Sequence, residues 1–247
     1  MHYSLLLTMA GILAASVLRG FTGFGFGLAA VPLLSLVLPP AEVVPLVVTL
    51  QVMVGMGGLR EAMRLCDWAS VRRLVPGLII GVPIGILILT VLPPNPVRLM
   101  IGAMIVVSVG LLHRGARLPP EPSRMLTAGV GLLAGVITGF SSMGGPPIIV
   151  YLMARGHSPQ RIRATAIVYF MIAGCATGLP MAVRGLITHH TLLWAAACLP
   201  VLFAGSWLGT LAFHHAKPRH HRLTALITLT ILAALLLIRT LVSMWGA

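Results

Sequence analysis

Arg19-Gly20-Phe21-Thr22-Gly23-Phe24-Gly25-Phe26-Gly27 interrupts the first apolar run of the chain with small and hydroxyl-bearing residues. A related stretch, Thr138-Gly139-Phe140-Ser141-Ser142-Met143-Gly144-Gly145-Pro146, interrupts another apolar run further along. Adding 119 to a position in the first stretch gives its counterpart in the second, so that Gly20 falls on Gly139. The repeated break predicts a chain of two related halves that each begin with the same structural unit.

The composition is typical of a membrane protein. Of the 247 residues, 58% are hydrophobic and only 9% are charged, whereas about a quarter of the residues of a soluble domain are charged. Because backbone groups in lipid must be satisfied within the chain, the apolar runs predict membrane helices, with the lipid bilayer as partner. The net charge of +13 does not indicate nucleic acid, since the basic residues lie in short loops between apolar runs.

The repeat extends over the whole chain. The offset of 119 also equates Pro40 with Pro159, and after a change in length an offset of 124 equates Gly85 with Gly209. We therefore expect an all-α polytopic membrane protein with two repeats of five segments, residues 1–120 and 121–247. The ten apolar segments, which Pro, Gly and Arg clusters separate, are 4–19, 24–38, 42–60, 71–92, 97–113, 125–139, 143–155, 163–183, 191–213 and 222–243.

Five segments in each half predict that the second half is inverted relative to the first. If every segment reverses direction, one side receives three basic residues, and the other receives thirteen in the loops 60–73, 113–125, 155–163 and 214–222. Basic residues mark the cytoplasm, so we expect these loops inside and both termini outside. In an alternative topology, 4–38 and 125–155 cross the membrane once each, and the charges divide nine to seven.

The segments on either side of each break have about 15 residues, fewer than the roughly 20 that cross a bilayer. They predict re-entrant hairpins, or short helices broken inside the protein, that converge near the membrane midplane. Helices starting near Gly23 and Ser142 would direct unpaired N–H groups and positive dipole ends at a small anion. We expect the substrate site there, formed by Thr22, Gly23, Gly25, Ser141, Ser142, Gly144 and Gly145.

Some of these residues have an alternative interpretation. Small residues also permit close packing between helices, so the glycines could serve packing alone. Arg19 is a weaker site candidate, because it lies either at membrane depth beside the anion or in a cytoplasmic loop. Gln51 is a second weaker candidate. It belongs to a set of polar residues that either line the pathway or pack between helices, together with Thr49, Thr165, Tyr169 and Thr177.

The acidic residues limit the mechanism. All four fall in loops or at segment ends, so a proton relay or cation site has no evident ligand, and we expect no metal, cofactor or enzyme activity. Export of an anion from a negative interior needs no relay, because it is downhill by about 2.3 kcal/mol per charge per 100 mV. A passive anion channel and a membrane assembly partner without transport are the alternatives, and whether the chain forms a homo-oligomer stays open.

The paired motifs resemble those of the TauE/SafE sulfite exporter family, namely Gly-Phe-Thr-Gly-Phe-Gly-Phe-Gly at 20–27 and Gly-Phe-Ser-Ser-Met-Gly-Gly-Pro-Pro at 139–147. Arg163-Ala164-Thr165 after Ser158-Pro159 adds to the resemblance, which covers essentially the whole chain. It implies a multi-pass transporter of a bacterial inner membrane that exports sulfite, an organosulfonate or a related small sulfur oxyanion. With the inverted halves, it predicts a secondary transporter working by alternating access, with periplasmic termini and cytoplasmic Arg-rich loops.

Overall fold

The computed structural model describes residues 2–22, 26–56, 58–114, 123–215, 231 and 234–242. Within these ranges the regular elements are helices and there is no strand. The boundary predicted near residue 120 and most of the segment predicted at 222–243 lie outside the described residues. The helices are α1 His2–Thr22, α2 Phe26–Ser35, α3 Pro40–Gly55, α4 Leu59–Leu65, α5 Trp68–Val91, α6 Pro94–Arg114, α7 Arg124–Ser141, α8 Gly145–Ala154, α9 Pro159–Val183 and α10 His189–His215.

Four of these helices are long and apolar enough to cross a membrane, namely α5, α7, α9 and most of α10. The pair formed by α3 and α4, bent by 75° between them, would add a fifth. On α5, the face with Leu78 and Ile86 is buried while Ile80 and Leu87 are exposed, as expected of a helix with one side toward lipid. The prediction of an all-helical membrane protein is confirmed.

Local sequence signals set the helix starts. The side chains of Asp67, Ser123 and Ser158 each accept a hydrogen bond from the backbone N–H three residues later, and so cap α5, α7 and α9. Such caps satisfy one of the free N–H groups of a first turn. Adding 119 to the bounds of α2 gives the bounds of α8, and adding it to the start of α3 gives the start of α9.

The predicted lengths of the helices at the breaks are wrong. The segments 4–19 and 125–139 correspond to α1 and α7, which have 21 and 18 residues, while α2 and α8 have only 10 each. Ten residues span about 15 Å, half of the hydrocarbon core. Alone, α2 or α8 is therefore too short to cross the hydrocarbon core. The segment predicted at 42–60 is also wrong, because α3 ends at Gly55 and α4 follows at an angle.

Glycines explain why α1 and α7 continue past the expected ends, because they sit in tight helix–helix contacts. On the face between α5 and α7, a Cβ at Gly139 would overlap the Val82 carbonyl and lie 2.8 Å from Gly85 Cα. Between α1 and α10, a Cβ at Gly20 would overlap the Ser206 carbonyl and lie 2.9 Å from Gly209 Cα. The contacted residues are themselves related by the offset of 124. The packing alternative is thus correct for Gly20 and Gly139.

Helices α3 and α9 cross in opposite directions at the centre of the molecule. Residue numbers rise along α9 as they fall along α3, because the facing pairs are Gly55 with Met171, Val52 with Gly174 and Val48 with Gly178. The alternative topology, with single crossings at 4–38 and 125–155, requires these two helices to be parallel, so this geometry contradicts it. The inversion of whole halves stays a prediction.

Eight of the described helices pack into two bundles on either side of this crossing, while α4 packs against α9 and α6 contacts α2, α3 and α8. Helices α1, α2, α3 and α10 form one bundle, and α5, α7, α8 and α9 form the other. The backbone contacts at Gly20 and Gly139 lie inside the bundles. Between the bundles, the glycines of α3 and α9 meet side chains, while Gly27 of α2 comes close to the Ser142 carbonyl. Each bundle therefore contains helices from both halves of the sequence.

Candidate functional site

A cavity of about 40 Å³ lies at the break between α7 and α8. It opens between the two bundles, since one contributes residues of α2 and α3 and the other contributes residues of α7, α8 and α9. Its wall consists mainly of small residues with a few polar and aromatic groups: Gly27, Leu28, Gln51, Thr138, Ser142, Met143, Gly144, Gly145, Phe170, Ala173 and Gly174.

Ser142 is the first residue of the break between α7 and α8. It ends α7 in a left-handed conformation, with φ 55°, and its N–H donates to the Thr138 carbonyl at 2.8 Å. This conformation costs a non-glycine residue roughly 1–2 kcal/mol, and such strain concentrates at functional sites. Here it directs the Ser142 hydroxyl to Gln51 Oε1, to which it donates at 2.7 Å. The equivalent position in the first half is Gly23, which lies outside the described residues.

The start of α8 supplies backbone donors, although fewer than an ordinary helix start. Pro146 and Pro147 occupy its first turn and have no N–H. The N–H groups of Met143, Gly144 and Gly145 remain, and within the described backbone no acceptor pairs with them. The helix dipole adds positive potential at this end. Because Ser142 donates to Gln51 Oε1, the Gln51 amide nitrogen is left to donate into the cavity.

Four of the predicted site residues line this cavity together: Gln51, Ser142, Gly144 and Gly145. Ser141 does not, because it is fully buried and its hydroxyl donates to the Ile137 carbonyl of its own helix at 2.7 Å. Gly144 has a packing role as well, since a Cβ there would lie 2.5 Å from the Ala134 carbonyl. The side chain of Thr22 and the whole of Gly23 and Gly25 lie outside the described residues.

Arg19 does not line the cavity. It lies in the last turn of α1, within reach of the charge of Arg163. Its Nη1 atom is shielded from solvent and has no hydrogen-bond partner among the described residues. Thr138, its equivalent at the offset of 119, does line the cavity.

The cavity also contains residues that our sequence reasoning missed, above all Phe170 and Thr138. The repeat could have found both, because they are the counterparts of Gln51 and Arg19. The other polar candidates do not line it. Thr49 and Thr165 donate to carbonyls of their own helices, while Tyr169 and Thr177 keep buried hydroxyls without a partner among the described residues.

A polar cluster surrounds Asp67 where α5 begins, at one end of the molecule. This buried carboxylate accepts a hydrogen bond from the Ser70 hydroxyl at 2.5 Å and lies 2.8 Å from His157 Nε2, with Arg155 at 3.9 Å. Its backbone N–H donates to Thr165 Oγ1 at 2.9 Å. Burial opposes ionisation, but hydrogen bonds from Ser70 and His157 outweigh it and lower the pKa of Asp67 from 3.8 to about 2. The cluster joins the start of α5 to α9 and the loop before it.

We expect this carboxylate to stabilise the fold above pH 4. Because its folded pKa is below the ordinary value, the stabilisation is present above about pH 3.8 and is lost as the pH falls through about 2. Asp67→Asn should lower the melting temperature at pH 7 by roughly 4–8 °C, since it removes about 2 kcal/mol of buried charge-assisted hydrogen bonding. Thermal unfolding in detergent from pH 2 to 7 measures both effects. Glu61→Gln, at an exposed carboxylate, is the control, and equal melting temperatures for the two variants would contradict the assignment.

The other end holds a wider cavity, of about 290 Å³, which we call the vestibule. Its lining includes Leu38 and Leu46 of the α2–α3 region and Glu42, His190 and Trp194. Adding 119 to Leu38 and Leu46 gives His157 and Thr165, the residues that contact Asp67. Equivalent positions of the two halves therefore differ. In the second half they belong to the polar cluster around Asp67, and in the first half they line the open vestibule.

Comparison with known proteins agrees with the resemblance in the motifs. The family model for "Sulfite exporter TauE/SafE" matches residues 7–236. A protein of Cupriavidus necator described as "Probable sulfite/organosulfonate exporter TauE" is 27% identical over 223 residues, covering 85% of this chain and 86% of its own length. No solved structure matches the chain. The family match and the apolar helices establish a multi-pass membrane protein, and the chain belongs to the sulfite exporter TauE/SafE family.

Proposed function

We propose that this protein exports a small sulfur oxyanion, sulfite or an organosulfonate, by alternating access. The observation that carries the proposal is the hydrogen bond between Ser142 and Gln51, because it joins the two bundles in the cavity at the start of α8. The family and the name of the Cupriavidus necator relative supply the class of substrate. The substrate site comprises Gln51, Ser142 and the N–H groups of residues 143–145.

The chemistry of this cavity favours an anion. The Gln51 amide and the N–H groups of residues 143–145 lie at the cavity, the lining contains no carboxylate, and a helix N-terminus faces it. Neither does the lining contain a lysine or arginine. A site built from neutral donors holds an anion less tightly than one with a full cation, which suits a transporter that must also release its cargo.

Two features support alternating access. The first is the antiparallel crossing of α3 and α9, which is the relation expected between equivalent helices of inverted repeats. The second is the difference between the ends, because buried polar side chains fill the space around Asp67 at one end while the vestibule leaves space at the other. Gln51 lies five residues after Leu46 of the vestibule, about 7.5 Å along α3. A rocking of one bundle against the other at the α3–α9 crossing would change access to the cavity from the two ends of the molecule.

The membrane potential is the expected driving force for export. We expect proteoliposomes loaded with sulfite to release it faster when a potassium diffusion potential makes the interior negative. At equilibrium a potential of 100 mV changes the distribution of each charge by about fiftyfold. Efflux is measured by a sulfite-reactive dye outside the liposomes, with protein-free liposomes as the control. Efflux that ignores the imposed potential would contradict the proposal, and single-molecule currents far above carrier turnover would indicate a channel.

A further inference from the structure

The two halves contribute different chemistry to equivalent walls of the cavity. Gln51 of α3 and Phe170 of α9 are related by the offset of 119, and both line the cavity. Gln51 brings an amide that forms hydrogen bonds, whereas Phe170 brings a ring that only fills space. The ring edge stands over the start of α8, because Phe170 Cζ would lie 3.4 Å from a Cβ at Gly145.

Phe170 is held in this place by its neighbour. Its ring meets Tyr169 edge to face, with centroids 5.9 Å apart and planes at 74°. Tyr169 is fully buried in the core, and such aromatic pairs are favourable beyond their buried area. Of the three large side chains in the lining, Leu28 and Met143 are buried in the core while Phe170 stays partly exposed. Among these three side chains, the Phe170 ring is therefore the one that borders the free space of the cavity.

The volume of the cavity limits the anion that it can hold. It measures about 40 Å³, and on the same measure one water needs roughly 10–15 Å³. The space thus accepts roughly three to four water-sized atoms, and sulfite has four atoms other than hydrogen. An organosulfonate carries the same three oxygens and at least one carbon more, and the Phe170 ring borders the space that this carbon would need.

We propose that Phe170 is a specificity-determining residue that restricts the site to oxyanions of the size of sulfite and excludes organosulfonates. This inference rests on the proposed function, since it concerns the same cavity. The Phe170 ring acts by steric exclusion, while the Gln51 amide nitrogen and the N–H groups of residues 143–145 hold the oxygens. One methylene group too many in a hydrophobic pocket typically changes the preference by roughly ten- to two-hundredfold, so the discrimination against ethanesulfonate should fall in or above this range.

The test measures anion binding to the purified full-length protein by thermal stabilisation. The probes are sulfite, methanesulfonate, ethanesulfonate and 2-hydroxyethanesulfonate, each titrated against the wild type. Phe170→Ala removes the ring, and Phe170→Leu keeps an apolar side chain in case the alanine variant folds poorly. Phe203→Ala is the matched control, because Phe203 lies on α10 with 55% of its surface exposed and takes no part in the cavity.

We expect the wild type and Phe203→Ala to bind sulfite with at least tenfold higher affinity than ethanesulfonate. Phe170→Ala should bind ethanesulfonate at least tenfold more tightly than the wild type does, with sulfite affinity lowered much less, and Phe170→Leu should lie between. Equal affinities of the wild type for sulfite and ethanesulfonate, or an unchanged preference in both Phe170 variants, would overturn the size limit alone. If no anion stabilises the wild type, the proposed function fails and the size limit fails with it.

Discussion

Gln51→Glu should abolish anion binding while leaving the fold intact. The change replaces an amide by a carboxylate of the same shape, so the packing between α3 and the break is kept and only the charge differs. Two like charges 4 Å apart repel by about 4 kcal/mol at an effective dielectric constant of 20, which is a loss of roughly a thousandfold in affinity. The measurement is sulfite-dependent thermal stabilisation of the purified variant, followed by efflux from proteoliposomes.

Two comparisons separate this charge effect from general damage. Gln51→Met has similar length and no charge, so it should lose about tenfold in affinity through the missing hydrogen bonds alone. Acidification should restore part of the binding of Gln51→Glu, because protonation of the new carboxyl removes its charge, and it should not restore Gln51→Met. If Gln51→Glu bound sulfite as tightly as Gln51→Met, the anion would bind elsewhere and the proposed site would be wrong.

The repeat in the sequence predicted more of the architecture than hydrophobicity did. The offset of 119 relates the bounds of α2 to those of α8, and it identifies the glycines at which helices touch. The helix lengths at the breaks were not predictable in the same way. Glycine ends helices in water because it costs about 1 kcal/mol relative to alanine, but Gly20 and Gly139 lie in close contacts where only glycine fits. Tertiary packing therefore stabilises α1 and α7 beyond the ends that were predicted from hydrophobicity.

The site shows where local sequence stops being informative. Ser141 and Ser142 are adjacent and chemically identical, yet one donates to its own helix and the other crosses to Gln51. The difference arises because Ser142 leaves the helix in a left-handed conformation, which hydropathy and motif spacing do not reveal. The Asp67 cluster is hidden for another reason. Asp67 and His157 are 90 residues apart in sequence, and only the packing of α4 and α5 against α9 makes them partners.

Gly139→Ala should destabilise the protein strongly, whereas Gly129→Ala on the same helix should not. A Cβ at Gly139 would overlap the Val82 carbonyl, and backbone cannot move aside as a side chain would, so roughly 1–3 kcal/mol or more is lost. A Cβ at Gly129 meets nothing within 4 Å. That variant should be neutral or gain up to about 1 kcal/mol from helix propensity. Melting temperatures in detergent compare the two, and equal values would contradict the contact between α5 and α7.

The same experiment at Gly20 examines the repeat independently of transport. Gly20 contacts Ser206, Gly209 and Thr210 on α10, and the offsets convert these residues into the partners of Gly139 on α5. If the bundles are equivalent, Gly20→Ala should lower the melting temperature by about as much as Gly139→Ala, since the same kind of backbone overlap arises in each. A tolerated Gly20→Ala beside a damaging Gly139→Ala would mean that the bundles differ in rigidity. The α1–α10 pair would then be the part of the molecule that deforms during transport, in place of rocking at the α3–α9 crossing.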